Sequence, residues 1–372
     1  MKIGIVTLAL KTNYGGLLQA YALQTVLKRL GHDAVTFEFD HSYRYRGGML
    51  KYPLVLLKRF VKKYLMGRGG YVFHERELNR RYRISSQYTQ KFIINNITTR
   101  KLRSLEEVKE GEYDCFVVGS DQVWRPKYSF DLYNSYLLFA ENWNVRRLAY
   151  AASFGTDEWE YTDEQTKICQ RLARKFSMVS VREASGIGLC RNHLGMDAVH
   201  VLDPTMLLNR EDYIKLFKSS APPESPGNML VYILDESQEK DEYVNAVAHA
   251  KGLKPFRVNS RVENSNAPVD ERIQPPVEKW IRGFYDAEFV ITDSFHACVF
   301  SILFSKPFIA IGNAKRGMSR FNSLLSMFGL EDRLVTDLNV FPETSIDFDE
   351  VNERLASLRQ KSFSFLKEAL NG

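Results

Sequence analysis

Short apolar runs alternate with stretches of helical periodicity along most of this 372-residue chain. Each run suits a buried strand, and the stretch after it repeats apolar residues every three or four positions. Alternation of this kind is typical of parallel sheets with helices on both faces. We predict strands at 3–8, 34–39, 115–118, 148–152, 178–181, 199–202, 229–234, 255–258, 289–292 and 308–311. Predicted helices include 17–30, 164–176, 240–251 and 277–285.

The length of the chain favours two domains, because single hydrophobic cores stop growing near about 250 to 300 residues. We predict a first Rossmann-like domain over residues 1–195 and a second over residues 196–345, separated after a helix end at Gly195. Residues 346–372 read as a terminal helix that could cross back to the first domain. Apolar strands that end in polar residues in both halves favour two domains facing one another across a cleft. The other interpretation is that any two buried parallel strands look alike.

Composition and charge exclude several classes of protein. Hydrophobic residues make up 44% of the chain and charged residues 26%, which is typical of a globular protein. The 51 basic and 45 acidic residues leave a net charge of +6. This excess suits anionic small ligands or a membrane surface, and it lacks the concentrated basic stripe of a nucleic-acid binder. We expect no nucleic-acid partner.

The four cysteines are widely spaced, with no Cys-x-x-Cys pair, so neither a zinc site nor a disulfide framework is indicated. We predict no metal site. The apolar run at the amino terminus is too short for a signal peptide, and no stretch approaches the roughly 18 apolar residues that span a bilayer. These features favour a cytoplasmic protein, which could also contact the inner face of the membrane.

Three polar side chains follow the predicted strand at 289–292, namely Asp293, Ser294 and His296. They fall where open α/β sheets bind ligands, at the carboxyl end of a strand. Ser294 and His296 could merely cap the next helix, or His296 could be a core residue. An imidazole, a carboxylate and free helix-start amides in one place favour the alternative, a site for an anionic ligand.

The first strand is followed by Asn13, Tyr14, Gly15 and Gly16, which open the first long helix. The two glycines allow a ligand to approach the backbone closely, and the helix start offers amides to an anion. The spacing does not match a dinucleotide fingerprint. A turn that needs glycine is the other interpretation.

A second polar group, Ser120, Asp121, Gln122 and Trp124, follows the strand at 115–118. An aromatic ring beside amide and carboxylate groups is typical of sugar recognition. Alternatively, Trp124 belongs to the core and Asp121 caps a helix.

Basic residues follow two further strands. Arg182 ends the strand at 178–181, where it could bind a carboxylate or phosphate through two bonds or form a surface pair with Glu183. Lys315, Arg316 and Arg320 follow the strand at 308–311 and could bind phosphate or form a solvated loop.

Together these segments resemble the polysaccharide pyruvyl transferase family, over nearly the whole chain from residue 3 to about 330. The order and joint presence of the motifs carry the resemblance, and they lie at 13–16, 118–124, 181–183, 203–205 and 292–296. The resemblance implies two facing Rossmann-like domains similar to the GT-B glycosyltransferase architecture, with the acceptor on the first domain and the donor on the second. It also implies transfer of a pyruvyl group from phosphoenolpyruvate to a sugar as a cyclic ketal, without a further cofactor.

The resemblance places the family's histidine on His296, its strand-end arginine on Arg182 and a basic loop residue on Lys315. This chain departs from some members at Ser294 and Phe295, where they have an arginine before or near the histidine. The donor pocket is therefore expected to differ in detail.

On this hypothesis His296 is the general acid, and Asp121 or Asp293 is the base. Arg182 and Lys315 would bind the donor's anionic groups. Ser294, Gly15 and Gly16 complete the predicted donor site. The predicted acceptor, a glycan or a lipid-linked saccharide, would contact Asn13, Tyr14, Ser120, Gln122 and Trp124.

Two alternatives stay open. A glycosyltransferase that uses a nucleotide sugar would need a base pocket and a ribose-binding carboxylate in the second half, and the sequence identifies neither. A non-catalytic glycan-binding protein would keep its ligand affinity without His296 and Arg182.

Residues 52–66 form an amphipathic pattern. Leu54, Leu57, Val61, Tyr64 and Leu65 fall near one face, and the basic residues fall largely elsewhere, at Lys58, Arg59, Lys62 and Lys63. Such a helix either lies at a membrane surface or packs its apolar face on the first domain, and the second arrangement is the commoner one.

Overall fold

The computed structural model describes residues 1–39, 42–45, 48–68, 70–129, 131–312, 317–342 and 345–371. These residues contain two sheets, of seven and five strands, in which all strand pairs are parallel. Helices connect successive strands, so the predicted α/β class is confirmed.

The first sheet has the strand order β3-β2-β1-β4-β5-β6-β7. Its first six strands follow the 3-2-1-4-5-6 order of dinucleotide-binding folds, in which ligands bind between β1 and β4, where the order reverses. Its strands are β1 (Lys2–Val6), β2 (Asp33–Phe39), β3 (Thr99–Leu102), β4 (Cys115–Val118), β5 (Arg146–Ala152), β6 (Met178–Val181) and β7 (Val199–His200).

The second sheet has the order β12-β11-β10-β8-β9. This corresponds to the 2-1-3-4-5 order of flavodoxin-like sheets, with its reversal between β8 and β10. Its strands are β8 (Met229–Tyr232), β9 (Pro255–Arg257), β10 (Phe289–Thr292), β11 (Phe308–Ile311) and β12 (Leu334–Val335).

Helices cover both sheets, and within the described ranges none is long and apolar enough to span a membrane. They are α1 (Tyr14–Arg29), α2 (Tyr52–Phe60), α3 (His74–Ser85), α4 (Gln87–Asn96), α5 (Asp163–Ala173), α6 (Ser185–Leu189), α7 (Arg210–Ser220), α8 (Gln238–Lys251), α9 (Val277–Asp286), α10 (Phe295–Leu303), α11 (Met318–Phe328) and α12 (Phe348–Asn371).

All ten predicted strands overlap observed strands, whereas β3 and β12 were not predicted. Three of the four β3 residues are polar, and β12 has two residues, so neither has the apolar run of a buried strand. The boundary at residue 195 needs a correction. β7 pairs with β6 through Ser180 and Val199, so the first sheet continues past that boundary.

The last helix lies against the first half of the molecule. The amide of Leu202 donates to Ser362 Oγ at 3.1 Å, and Arg359 Nε donates to the Met206 carbonyl at 2.7 Å. The Phe365 ring packs against Tyr150 of β5. These contacts attach α12 to the end of the first sheet.

Candidate functional site

The reversal points of the two sheets meet at the start of α1 and the start of α10. The His296 ring, in the first turn of α10, lies directly against Gly15 of α1. A Cβ atom added at Gly15 would be 2.1 Å from His296 Nδ1, so only glycine leaves room for the ring. The histidine of one half therefore rests on the backbone of the other.

Tyr14 holds the two halves together. Its hydroxyl donates to the Pro275 carbonyl at 2.8 Å, and its ring lies 5.5 Å from Trp280 and 6.2 Å from Tyr232. The side chain is fully buried, and burial raises its pKa well above the usual value. The predicted contact between Tyr14 and an acceptor is wrong, because a buried interdomain residue has no surface left for a sugar.

Asn13 and Gly16 also serve the start of α1. Asn13 is the N-cap residue, and its side chain accepts a hydrogen bond from the Gly16 amide at 3.2 Å. Gly16 lies beside the β4 end, where an added Cβ would be 3.6 Å from Asp121 Oδ2. The turn thus brings the α1 backbone close to the polar group that follows β4.

Arg182 is fully buried between two carboxylates. Its Nη1 donates to Asp203 Oδ2 at 3.0 Å and its Nη2 to Asp121 Oδ1 at 3.2 Å. The guanidinium carbon also lies 4.6 Å from the centre of the Phe295 ring. Burial alone would lower the pKa of Arg182, but Asp121, Asp203 and Glu183 raise it. Direct donor binding by Arg182 stays a prediction, and its Nε has no hydrogen-bond partner in the described ranges.

Asp203 connects Arg182 to the histidine. Its Oδ1 accepts from the amide and the hydroxyl of Thr205, and its Oδ2 lies 3.6 Å from His296 Nε2. Burial would raise the pKa of Asp203, but contacts with His296, Arg182 and Thr205 lower it below its usual range. Asp203 is therefore a carboxylate at neutral pH. It belongs to the Asp-Pro-Thr motif, yet the sequence did not show that it faces the histidine.

His296 is 7% exposed, and its Nε2 is buried without a partner at hydrogen-bond distance in the described part of the chain. The 3.6 Å separation from Asp203 is longer than a hydrogen bond. A core histidine would normally be satisfied, because a buried unpaired polar group costs about 1–3 kcal/mol. The arrangement therefore favours a histidine that acts on a ligand.

Asp121 is a buried carboxylate on the other side of Arg182. Burial would raise its pKa, but Arg182, His296 and Arg320 lower it. A carboxylate with a lowered pKa is a weak general base, so the geometry favours Asp121 as the group that holds Arg182.

A second buried arginine comes from α11. Arg320 lies 5.8 Å from the Phe295 ring, and burial together with repulsion from Arg182 lowers its pKa to about 10. In the same first turn, Ser319 Oγ is buried and has no hydrogen-bond partner among the described residues. Sequence reasoning noted Arg320 as a phosphate ligand but did not place it in the site. Lys315 lies outside the described residues.

Glu183 does not form a surface ion pair with Arg182, which was the alternative to ligand binding by that arginine. It is fully buried, and its Oε1 accepts from Ser153 Oγ and from the amides of Phe154 and Gly155. Its Oε2 has no hydrogen-bond partner among the described residues. Glu183 thus fixes the loop that follows β5.

Trp124 is a core residue, so its predicted stacking on a sugar is wrong. Its indole is fully buried, stacks on Tyr136 with a 7° interplanar angle, and donates to the Ser135 carbonyl at 3.1 Å. The nearby side chain of Ser120 is also buried, where it donates to the Ala151 carbonyl at 3.0 Å. Gln122 keeps 9% of its surface exposed, and its Oε1 accepts from an Arg125 nitrogen.

Asp293 is fully buried and faces the loop after β8. Its oxygens accept from the amides of Leu234 and Asp235 and from Lys240 Nζ, at 2.6, 3.1 and 2.8 Å. These bonds join the ends of β8 and β10, which makes Asp293 a structural residue and a poor candidate for the base. Ser294 begins α10, but its side chain makes no capping hydrogen bond.

The site therefore has two layers. Arg182, Asp203 and Glu183 are at most 2% exposed and form the inner layer. Parts of His296 and Arg320 reach the surface, beside the starts of α10 and α11, and no side chain among the described residues caps either helix. Cationic groups and helix-start amides at one opening suit an anionic ligand. In the part of the chain that the structure describes, no three histidine, cysteine or acidic side chains could hold a metal ion.

The two facing parallel sheets define a GT-B-like protein. The chain is similar in fold to UGT89C1 from Arabidopsis thaliana, a structure complexed with UDP-L-rhamnose, at 9% identity, 97% and 94% coverage of the two chains and a TM-score of 0.50. A glycosyltransferase from Rickettsia africae also matches, with 13% identity, 100% and 99% coverage and a TM-score of 0.47.

The sequence identifies the family more narrowly than the fold does. The family model for polysaccharide pyruvyl transferases matches residues 13–315, and the chain belongs to this family. Comparison with curated protein sequences gave no significant match. The match contains the start of α1, the ends of β4 and β6, and His296, which the structure brings together.

Proposed function

We propose that this protein transfers the pyruvyl group of phosphoenolpyruvate to two hydroxyls of one sugar, in a polysaccharide or its precursor, to form a cyclic ketal. Family membership implies pyruvyl transfer to a polysaccharide in general. The donor and the product are inferred from the anionic site. The observation that carries the proposal is the meeting of His296 and Arg320 with the starts of α10 and α11.

Phosphoenolpyruvate carries a carboxylate and a phosphate, so its binding requires at least two fixed groups of positive character. Arg320 and the amides that begin α11 suit one anionic group. The amides that begin α10, next to Ser294, suit the other. Lys315 precedes α11 in sequence and stays a predicted donor ligand.

In the proposed reaction, His296 donates a proton to the methylene carbon of phosphoenolpyruvate. The central carbon becomes electrophilic, and one sugar hydroxyl forms a C–O bond to it as its proton passes to the imidazole. Cleavage of the C–O bond to phosphate makes the same carbon electrophilic again. The second hydroxyl then closes the ketal, and its proton leaves with inorganic phosphate. General acid catalysis of this kind contributes about a hundred- to ten-thousand-fold.

Asp203 and Arg182 are positioning residues in this mechanism. Asp203 faces His296 Nε2 and carries a negative charge, which favours this orientation of the imidazole. Arg182 holds Asp203 and Asp121 in place. Since Asp121 and Asp293 are poor bases here, the imidazole left after the first proton transfer is the better acceptor.

A test uses the purified protein with phosphoenolpyruvate and a panel of saccharides. We expect phosphate release that depends on the acceptor, and a product heavier by one pyruvate less one water. His296→Ala should remain folded and lose about a hundred- to ten-thousand-fold in turnover. His249→Ala, on the exposed surface of α8, is the matched control.

Normal turnover per folded molecule in His296→Ala would remove the histidine from the reaction. Consumption of a nucleotide sugar without use of phosphoenolpyruvate would support the glycosyltransferase alternative. Binding of a glycan by the double variant His296→Ala/Arg182→Ala, with no turnover by the parent protein, would support a non-catalytic glycan-binding protein.

A further inference from the structure

The connection between β2 and β3 contains all of the net positive charge of the chain. Residues 41–74 include eight of the 51 basic residues and none of the 45 acidic ones. The rest of the chain therefore has 43 basic and 45 acidic residues. A charge block of this kind within a folded domain indicates an anionic partner.

The same connection exposes apolar side chains to an unusual degree. No residue of α2 or of the π-helical turn that continues it, Val61–Leu65, is buried. Leu54, Leu57 and Leu65 are 62%, 59% and 75% exposed. The packing of this helix on the first domain, which was the commoner expectation, is therefore wrong for its apolar face.

Four exposed apolar residues and the half-buried Val61 form one stripe. Leu50, Leu54, Leu57, Val61 and Tyr64 follow one another at intervals of three or four, which places them on a single side of a helix. Because the stripe stands outside the core, its burial against another surface would be favourable, by about 25 cal/mol per Å² of apolar area.

Basic residues flank the stripe, and a separate contact holds the helix. Lys51, Lys58 and Lys62 are exposed and recur at the helical spacing beside the leucines. Arg59 lies on another side of the helix, where its guanidinium forms two hydrogen bonds of 2.8 Å with Glu75 of α3. The helix is thus attached through Arg59 while the leucines and the three lysines face outward.

We infer that residues 50–66, here named the basic-apolar helix, bind the surface of an anionic lipid bilayer. The apolar stripe would enter the boundary between headgroups and acyl chains, and the flanking lysines would contact anionic headgroups. A second copy of the chain fits less well, because a two-fold interface would bring the same lysines together. This inference does not rest on the proposed reaction.

The test measures sedimentation of the full-length protein with vesicles of phosphatidylcholine containing 30% phosphatidylglycerol, against vesicles of phosphatidylcholine alone. We expect binding to the anionic vesicles that weakens as salt is raised, since screening reduces surface electrostatics. The variant Lys51→Gln/Lys58→Gln/Lys62→Gln should reduce the partition coefficient about a hundredfold, at roughly fivefold for each lysine near the surface. Leu54→Ser/Leu57→Ser should also reduce it.

The matched control is Lys167→Gln/Lys218→Gln/Lys361→Gln, which removes the same charge from exposed positions elsewhere. All the altered residues are exposed, so each variant should fold. Equal binding by the control and by Lys51→Gln/Lys58→Gln/Lys62→Gln would overturn the inference. An absence of binding of the parent protein to anionic vesicles would also overturn it. Sedimentation velocity tests the remaining possibility, that a second copy of the chain covers this face. A parent dimer that Leu54→Ser/Leu57→Ser converts to a monomer, without vesicle binding, would make this face a contact between two copies.

Discussion

Two arginines approach the same Phe295 ring, one from each half of the molecule, and their environments differ. Arg182, at the end of β6, bonds to Asp121 and Asp203, which raise its pKa despite burial. Burial and repulsion by Arg182 lower the pKa of Arg320, on α11, to about 10 in spite of nearby carboxylates. Both side chains are buried, and the carboxylates around Arg182 raise its pKa by more than burial lowers it.

The different environments of Arg182 and Arg320 indicate different roles for the two halves of the molecule. The first half neutralises its arginine and uses it to hold Asp203 beside His296. The second half presents an arginine whose charge is costly in the folded protein, and an anionic ligand would offset that cost. We therefore expect Arg182 to govern stability and Arg320 to govern donor binding.

The largest effect should come from Asp203→Ala. The change removes a carboxylate from Arg182 and leaves a buried charge poorly compensated, which typically costs about 3–5 kcal/mol of unfolding free energy. Urea unfolding followed by circular dichroism measures it. Asp197→Ala is the matched control, because Asp197 and its partner Arg191 are 91% and 70% exposed and such pairs contribute about 0–1 kcal/mol. Similar losses in both variants would contradict the proposed difference between the arginines.

Arg182→Lys should come next. Lysine keeps the charge but cannot bond both carboxylates through one planar group, and a hydrogen bond to a charged group contributes about 1.5–3 kcal/mol. We expect a lower midpoint of urea unfolding, with the Michaelis constant for phosphoenolpyruvate changed much less. A large rise in that constant at unchanged stability would instead make Arg182 a donor-binding residue.

Acid should weaken the inner layer. The pKa of Asp203 is lower in the folded protein than in the unfolded chain, where it is about 4. The carboxylate therefore contributes fully to stability above the unfolded pKa, and this contribution is lost as pH falls through the folded pKa. The loss amounts to about 1.4 kcal/mol for each unit of lowering. Urea unfolding between pH 7 and pH 3 should show a steeper decline for the parent than for Asp203→Asn, which cannot titrate. If the unfolding free energies of the two proteins fall in parallel with pH, Asp203 is not a cause of the acid sensitivity.

The smallest effect has the opposite sign. Arg320→Met replaces a buried charge of lowered pKa with an apolar side chain of similar length, so stability should rise by at least about 1 kcal/mol. Phosphoenolpyruvate should raise the melting temperature of the parent and not that of Arg320→Met. Loss of stability in the variant would show that the contacts of Arg320 outweigh the cost of burying its charge. An undiminished ligand-induced shift would exclude Arg320 from the donor site.

Sequence patterns were sufficient for the strands that are buried on both faces, because those strands must be continuous apolar runs. They were insufficient for β3, whose exposed edge tolerates polar residues. The rule that polar groups gather at strand ends also placed Asp121 after β4 and His296 after β10, at the carboxyl ends of strands in the two sheets. Tyr14 was misread because its partner, the Pro275 carbonyl, lies across the fold. Trp124 was misread because its partners, Ser135 and Tyr136, lie in an irregular segment that has no periodic signal.

The contact between Gly15 and His296 also makes the proposed reaction depend on the relative position of the two halves. His296 belongs to the half built on the second sheet, whereas Gly15 and Asp203 extend from the first. Any motion that parts the halves takes the imidazole away from both neighbours at once. In the proposed reaction, the proton donor would thus be complete only while the halves are together. A short-lived electrophilic carbon formed at that moment would meet a sugar hydroxyl already enclosed with it, rather than solvent.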